Sequence, residues 1–146
     1  MALLRSMEEA LHIAEEEDVT LAFEPERANV VNTASKGRAL VDAMQSPRLK
    51  VVIDPANLIV PGNEQQMHRV LDEAIHLLSD YIVIAHAKDR SNDDTFRAAG
   101  DGILNYDLYI WLLQEVAFDG PLILHGLAET QVDASLQFLR DKLEKR

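Results

Sequence analysis

The stretch Val51-Val52-Ile53-Asp54-Pro55-Ala56-Asn57 contains the pattern on which the fold assignment depends. Its apolar part predicts a strand over residues 50–53, and the Asp54-Pro55 pair ends that strand. Apart from Lys50, the strand is an apolar run rather than an alternation of apolar and polar residues. Such runs are typical of parallel sheets, in which helices cover both faces. We therefore predict a buried parallel strand that is followed directly by a carboxylate.

The same pattern occurs three more times along the chain. Residues 19–23, 81–85 and 122–124 are short apolar runs, and we interpret each as a strand. These strands end at Glu24, His86 and His125. With Asp54, every predicted strand therefore ends at a carboxylate or an imidazole.

Amphipathic segments with helical spacing separate the strands. The first helix covers residues 2–16 and precedes the first strand. Helix starts are predicted at Thr33 or Ser35, at Asn63, at Asn105 and at Thr130, because these side chains can accept hydrogen bonds from free backbone N–H groups. Residues 88–102 form a long polar stretch, which we interpret as a loop. Trp111 has helical spacing and is predicted to lie in the core.

This order of elements predicts an α/β domain over residues 1–146, with four consecutive βα units after an N-terminal helix. The strand ends lie roughly 30 to 40 residues apart, which fits βα units in an open doubly wound sheet or in half of a (β/α)8 barrel. A complete barrel needs about 250 residues, so four units cannot close one.

The composition excludes several classes of protein. The formal net charge is −11, with 25 acidic and 14 basic residues, which disfavours binding to a nucleic-acid backbone. The chain has no cysteine, so disulfides and thiolate metal sites are absent. No apolar stretch is long enough to span a membrane. We expect no signal peptide at the N-terminus, because Glu8 and Glu9 stand where one would be apolar. We expect a cytoplasmic protein.

The four strand ends predict a metal site. In parallel α/β folds, functional residues lie at the carboxyl ends of the strands. Glu24, Asp54, His86 and His125 would converge there from neighbouring strands. Two carboxylates and two imidazoles suit a divalent ion such as Mn²⁺, Mg²⁺, Zn²⁺, Co²⁺ or Fe²⁺.

Several motifs in this order and spacing resemble a known family, the xylose isomerase-like TIM barrels. This family contains sugar phosphate isomerases and epimerases, with ketose 3-epimerases and endonuclease IV-type proteins as relatives. The resemblance covers nearly the whole chain and is to the C-terminal half of the barrel. The motifs are Leu21-Ala22-Phe23-Glu24-Pro25, Val51-Val52-Ile53-Asp54-Pro55-Ala56-Asn57, Ala85-His86-Ala87-Lys88-Asp89, Gly100-Asp101-Gly102-Ile103-Leu104-Asn105-Tyr106 and Asp119-Gly120-Pro121-Leu122-Ile123-Leu124.

The resemblance implies one divalent metal ion in the barrel mouth, held by residues from strands five to eight. Glu24, Asp54 and His86 take three ligand positions, and His125 stands where the family has a glutamate. In the epimerases the first and last glutamates form an acid/base pair, so Glu24 and His125 are the implied catalytic residues.

The resemblance also implies a small sugar or sugar phosphate as substrate. Asn57 stands where the epimerases tend to carry a histidine that contacts substrate. Lys88 could hold a phosphate or a sugar hydroxyl as a point charge.

Each of the four strand-end residues could instead have a purely structural role. Glu24 could accept loop N–H groups, Asp54 with Pro55 is a common turn opener, and His86 could be a loop histidine oriented by Asp89. His125 departs from the family residue, so a purely structural role is favoured more for His125 than for the other three residues.

Three functions follow from these observations. The first is a metal-dependent isomerase or epimerase that removes a proton next to a metal-polarised carbonyl. The second is a truncated barrel without turnover, which serves as a binding or interaction module. The third is metal-assisted cleavage of DNA phosphodiesters, which the acidic charge disfavours.

Half a barrel would leave strand edges open. We therefore predict a homodimer, or a partner chain that completes the barrel. If the chain is a fragment of a longer protein, this reason for oligomerisation is lost.

Overall fold

The computed structural model describes residues 2–144 and has an open, mixed α/β architecture. Within residues 2–144 the chain forms six helices and five strands, with short 3₁₀ turns at Ser79–Tyr81 and Glu129–Gln131. The elements are α1 (Ala2–Glu16), β1 (Leu21–Phe23), α2 (Ala34–Met44), β2 (Leu49–Ile53), α3 (Pro55–Leu58), α4 (Glu64–Leu78), β3 (Ile82–Arg90), β4 (Phe96–Ala98), α5 (Tyr106–Glu115), β5 (Leu122–Leu124) and α6 (Val132–Glu144).

Four of the strands form a parallel sheet in the order β1-β2-β3-β5. This sheet follows the N-terminal helix α1, and the strands are joined by helical crossovers, as the sequence predicts. The sheet does not close on itself. Within residues 2–144, the single strand partner of β1 is β2, and the single strand partner of β5 is β3. The fold is therefore a partial barrel of parallel βα units.

The polar stretch after His86 is not a simple loop, which corrects the prediction for residues 88–102. The strand β3 continues to Arg90 and pairs with β4 in an antiparallel hairpin. Lys88, Asp89 and Arg90 are all buried, although their charges predict a solvated segment. Each charge finds a tertiary partner, and such partners cannot be seen in local sequence.

The two faces of the sheet are covered differently. Val51, Ile53 and Ala85 point to one face, are completely buried and belong to the main core with residues of α4 and α5. The intervening residues Val52 and Ile84 point to the opposite, concave face and are only partly buried. The expectation of strands covered on both faces is therefore wrong for this chain, because helices pack on one face and the concave face is partly open.

The helix starts show where local sequence rules apply. Thr33, Asn63 and Asn105 cap α2, α4 and α5, and each side chain accepts a hydrogen bond from a backbone N–H group. The prediction for Thr130 is wrong, because a 3₁₀ turn precedes α6 and the Gln131 side chain accepts from the N–H of Ala128 instead.

Two further observations concern surface residues and membranes. Trp111 is 48% exposed, so its predicted place in the core is wrong. It lies on α5, whose buried residues Tyr109, Ile110, Leu112 and Leu113 already fill the core side of the helix. Across residues 2–144, every helix falls short of the length and apolar character that a membrane span requires.

Candidate functional site

The predicted site residues lie at one end of the sheet. Glu24 follows β1, Asp54 follows β2 and His125 follows β5, while His86 lies within β3 because that strand continues past it. Asp54 also begins α3, since its Oδ1 accepts a hydrogen bond from the N–H of Ala56 at 2.9 Å. This bond fixes the carboxylate and leaves its second oxygen, Oδ2, facing the other site residues.

Asp54, His86 and His125 form a compact group of metal-ligand types. One ligand atom from each lies within 4.8 Å of the other two. Asp54 Oδ2 is 3.6 Å from His86 Nδ1 and 4.0 Å from His125 Nδ1. The two imidazole rings stack with centroids 4.5 Å apart and an interplanar angle of 5°. The fold therefore brings together three residues that lie far apart in the sequence.

Glu24 lies beside this group but has partners of its own. Its Oε1 is 3.2 Å from His86 Nδ1 and accepts a hydrogen bond from Asn57 Nδ2 at 2.8 Å. Glu24 is not a member of the group of three that lies within 4.8 Å. It adjoins the site as a carboxylate oriented by an amide and an imidazole.

Lys88 and Asn57 are buried side chains that contact the other residues of the cluster. The Lys88 side chain is only 6% exposed, and its Nζ is 2.9 Å from Asp54 Oδ2. Lys88 Nζ also donates a hydrogen bond to Asn57 Oδ1 at 2.8 Å. Both amide atoms of Asn57 therefore bind neighbouring side chains, one to Glu24 and the other to Lys88.

The mixture of charges shifts the pKa of each carboxyl group in a different direction. Burial, and next the adjacent Asp54 carboxylate, raise the pKa of Glu24 above its usual value. Burial also pushes the pKa of Asp54 upward, but interactions with His86 and Lys88 outweigh this, so the net pKa of Asp54 is lowered. The site thus contains a firmly ionised carboxylate beside one that takes up a proton more readily.

The stacked histidines also differ. Asp54 raises the pKa of His86 against the opposing effect of burial, and Glu24 adds to the increase. Burial lowers the pKa of His125, and the charges of His86 and Lys88 lower it further. His86 therefore keeps a ring proton to higher pH than His125 does.

One oxygen of the cluster lacks a hydrogen bond. Asp54 Oδ2 is buried and accepts no hydrogen bond of good geometry within residues 2–144, although the Lys88 ammonium lies close to it. Buried carboxylate oxygens are normally satisfied, and here the Lys88 ammonium supplies the positive charge that this oxygen needs. The donor set of one carboxylate and two imidazoles fits a divalent metal ion.

Two tyrosines that the sequence analysis did not single out support the site from the helix side. The hydroxyl of Tyr109 donates to the backbone oxygen of His86 at 3.2 Å, and the hydroxyl of Tyr106 donates to that of Lys88 at 3.1 Å. Both lie on α5, where their apolar neighbours suggest only a core role. The signal that could have found them is a polar group on a buried aromatic ring, which needs a partner.

Asp89 does not orient His86, which corrects that structural reading. Its carboxylate accepts hydrogen bonds from the backbone N–H groups of Arg90, Gly100, Gly102 and Leu104. Asp89 therefore holds the segment after β4, whereas His86 contacts Glu24 and Asp54.

Comparisons with known proteins agree with this architecture. The family described as xylose isomerase-like TIM barrel matches residues 2–142. A comparison with curated proteins found no significant match.

Solved structures with the same fold include a xylose isomerase domain protein from Planctomyces limnophilus, with a TM-score of 0.79 and 21% identity over 99% of this chain and 52% of that one. A D-psicose 3-epimerase with D-tagatose from Clostridium cellulolyticum H10 has a TM-score of 0.71 and 20% identity over 97% and 55% of the two chains.

A xylose isomerase-like TIM barrel protein from Mycobacterium smegmatis, in complex with magnesium, has a TM-score of 0.62 and 19% identity over 96% and 50% of the two chains. At these identities the similarity shows the fold alone. The chain spans about half the length of each of these structures.

Proposed function

We propose that this chain, which belongs to the xylose isomerase-like TIM barrel family, holds a divalent metal ion and takes part in the isomerisation or epimerisation of a small sugar or sugar phosphate. The single observation that carries the proposal is the meeting of Asp54, His86 and His125, whose ligand atoms lie within 4.8 Å of one another at one end of the sheet. We further propose that the chain corresponds to the C-terminal half of the family barrel, where its motifs resemble those of the family.

Asp54, His86 and His125 would hold the metal ion, and Glu24 would be a fourth ligand or remain beside them. A divalent ion bound there would polarise a carbonyl and an adjacent hydroxyl group of a sugar, which makes the neighbouring C–H more acidic. Support for a metal comes from the donor set and from the relative in complex with magnesium. The identity of the ion stays open among Mn²⁺, Mg²⁺, Zn²⁺ and Co²⁺.

Glu24 would act as the base that removes the sugar proton. Burial raises the pKa of Glu24, which brings this carboxyl group closer to the neutral range in which general bases work best. Asn57 Nδ2 donates to Glu24 Oε1 and fixes the orientation of the carboxylate. The second oxygen, Oε2, is the one that can face a substrate.

His125 would return a proton or remain a metal ligand. Its lowered pKa favours the neutral ring, which can bind a metal or take up a proton from solvent and then deliver that proton to the substrate carbon. This differs from a pair of glutamates, because a neutral imidazole and a carboxylate cannot exchange roles symmetrically.

The substrate class follows from relatives rather than from a shaped pocket. One structural relative is a D-psicose 3-epimerase solved with D-tagatose, which points to a small ketose. Asn57 and Lys88 would contact substrate hydroxyl or phosphate groups. Both side chains already bind their neighbours, so a substrate would have to replace the contact between Lys88 Nζ and Asn57 Oδ1.

We also propose that a second copy of the chain, or a partner chain, completes the barrel. The outer edges of β1 and β5 are open, and Ile123 on β5 is 41% exposed. An apolar groove of about 270 Å³ reaches Phe23 of β1, and Leu3, Met7 and Val31 also line it. Two copies of the four parallel strands would give the eight strands of a TIM barrel.

The partner proposal has a direct test. Leu21 N–H donates to Arg48 O at 2.9 Å, so the N–H of Ala22 points away from β2 towards the open edge. In light scattering, the wild type and the control Ala22→Val should have twice the mass of one chain, and Ala22→Pro should be monomeric. A wild type that is monomeric at all concentrations, and that exposes no apolar surface, would contradict the homodimer.

Catalysis is tested by proton exchange. The assembled protein is incubated with Mn²⁺ and a panel of ketoses in D₂O, and mass spectrometry follows deuterium uptake at the carbon next to the carbonyl. Exchange should occur with the wild type and be reduced at least about 100-fold in Glu24→Gln, as for loss of a general base. The control Glu26→Gln changes a nearby carboxylate that binds only Asn29 at the surface, and should behave as wild type.

The second candidate function is a binding or interaction module without turnover. It is favoured by Lys88, whose ammonium lies 2.9 Å from Asp54 Oδ2 and balances that carboxylate without a metal. Protein that binds metal yet exchanges no proton with any ketose would favour this candidate over the enzyme.

A further inference from the structure

The ammonium group of Lys88 occupies the oxygen that the proposed metal ion needs. Asp54 Oδ1 is used by the N–H of Ala56, which leaves Oδ2 as the available ligand atom. Lys88 Nζ lies 2.9 Å from this Oδ2, and the lysine side chain is 6% exposed. A buried cation is rare unless it is paired, so this position is a defined feature of the site.

Neighbouring residues hold the Lys88 side chain in one defined position. Nζ lies 4.1 Å from the centroid of the Phe96 ring, a favourable cation–π distance, and donates to Asn57 Oδ1. Gly126 has a φ of +67°, and a Cβ at this position would lie 2.8 Å from Lys88 Cδ. Any other residue at 126 would push the lysine stem aside, so the chain around β5 leaves room for it.

An ammonium and a divalent ion cannot both sit close to the same carboxylate oxygen at low cost. A metal–oxygen bond is about 2.0–2.2 Å long, so a bound ion would lie within about 5 Å of Nζ in its observed position. Repulsion between a single and a double positive charge at that separation is strong where water screens it poorly. One of the two cations must therefore leave Asp54 Oδ2.

We infer that Lys88 is an internal competitor for the metal site, and that metal binding requires its ammonium to leave Asp54 Oδ2. The inference rests on the proposed function, because it concerns the same three ligands. Lys88 neutralises Asp54 in the metal-free protein and keeps the cluster folded. It thereby weakens metal affinity and raises the free metal concentration at which the site fills.

The competition predicts opposite effects of one substitution on affinity and on stability. Lys88→Met removes the charge and keeps most of the side-chain volume. Without metal, the buried Asp54 carboxylate loses its nearest positive charge and keeps only His86 beside it, so the variant should unfold at a lower temperature than wild type. With metal, the ion replaces the lost cation without competition, so the affinity for metal should rise.

The experiment is calorimetric titration of chelator-treated protein with Mn²⁺ alone. Lys88→Met should bind Mn²⁺ at least about tenfold more tightly than wild type, since it no longer displaces a paired ammonium. The control Lys142→Met removes the same charge from α6, where the lysine binds Asp107 at the surface, and should bind as wild type. An equal or weaker affinity of Lys88→Met would overturn the inference.

A second variant keeps the test decisive if Lys88→Met does not fold without metal. Lys88→Gln is also neutral but retains a hydrogen-bond donor towards Asn57 Oδ1. Circular dichroism of either variant should show that Mn²⁺ restores the wild-type signal and raises the melting temperature more than it does for wild type. Variants that stay unfolded in saturating Mn²⁺, or gain no more than wild type, would contradict the competition.

The two proposals fail in different ways. If wild type, Lys88→Met and Lys88→Gln all bind no Mn²⁺, then the metal-dependent function fails and the inference falls with it. If wild type and both variants bind with the same dissociation constant, the proposed function stands and only the competition is overturned. Binding by the variants but not by wild type would support the competition and leave wild type as a metal-free module.

Discussion

The two faces of the parallel sheet are built from neighbouring residues of the same strands, yet they differ in burial and in chemistry. On the helix-covered face, Val51, Ile53 and Ala85 are fully buried in the main core. On the concave face, Ile123 is 41% exposed and lies in register with His86, one of the candidate ligands. The helix-covered face is thus buried within residues 2–144, whereas the concave face beside the polar cluster is only partly buried.

This difference separates the residues that stabilise the fold from those that carry chemistry. Tyr106 and Tyr109 connect the two faces, since they lie in the helix-side core and bind the backbone oxygens of Lys88 and His86. Stability should therefore depend on the helix-covered face, and metal binding should depend on the concave face.

The largest expected effect tests the contrast in burial with the same substitution on both faces. Ile53→Ala removes a side chain that is 0% exposed and should lower the free energy of unfolding by about 2–5 kcal/mol. Ile123→Ala removes one that is 41% exposed and should cost about 1 kcal/mol. Urea denaturation of the metal-free protein measures both values.

The same pair of variants also tests whether a second copy covers the concave face. If two copies pack there, Ile123 is buried in the assembly, and the cost of Ile123→Ala should rise with protein concentration. Equal costs for the two variants at low concentration, where the chain is monomeric, would refute the distinction between the faces.

A smaller effect concerns the link between the faces. Tyr109→Phe and Tyr106→Phe each remove one buried hydrogen bond to β3 and should each lower the free energy of unfolding by about 1 kcal/mol. If the tyrosines position the site, both variants should also weaken Mn²⁺ binding, which calorimetry measures. A loss of stability without any change in affinity would show that α5 supports the fold alone.

The smallest effect is a difference in protonation between the stacked histidines. Asp54 raises the pKa of His86, and burial lowers the pKa of His125, so NMR titration of the metal-free protein should show His86 losing its proton at the higher pH. His86→Ala and His125→Ala assign the two signals. A reversed order would contradict the electrostatic description of the cluster.

The same shifts give opposite contributions to stability. The raised pKa of His86 adds stability that is fully present below its unfolded value and is lost as pH rises through the folded value. The lowered pKa of His125 removes stability as pH falls through its unfolded value towards the folded one. In metal-free protein, His86→Ala should therefore reduce the loss of stability on the alkaline side, and His125→Ala should reduce it on the acid side.

Features that depend on local physics could be predicted from the sequence. The span of α1 and the caps at Thr33, Asn63 and Asn105 follow from helical spacing and from side chains that satisfy free N–H groups. The order of the parallel strands follows from apolar runs joined by helical crossovers. The Asp54-Pro55 pair after the second apolar run correctly predicted that this strand ends at Ile53.

Features that depend on tertiary partners could not be predicted. Lys88 and Arg90 have the charges of a loop but lie in a buried strand, because Asp54, Asn57 and Asp94 neutralise or bind them. The prediction of coverage on both faces fails because an apolar run does not say how many layers the chain supplies. The pairing of Lys88 with Asp54 could not be predicted either, because it is a tertiary contact between residues far apart in the sequence.

The metal content of the purified protein tests the central claim most directly. Elemental analysis after equilibration with Mn²⁺ and removal of free ions should give one ion per chain for wild type, and none for Asp54→Ala or His86→Ala. Asp72→Ala and His76→Ala, which change an exposed pair on α4, should retain the wild-type content. Wild type without bound metal, or site variants that keep it, would contradict a metal site at the ends of these strands.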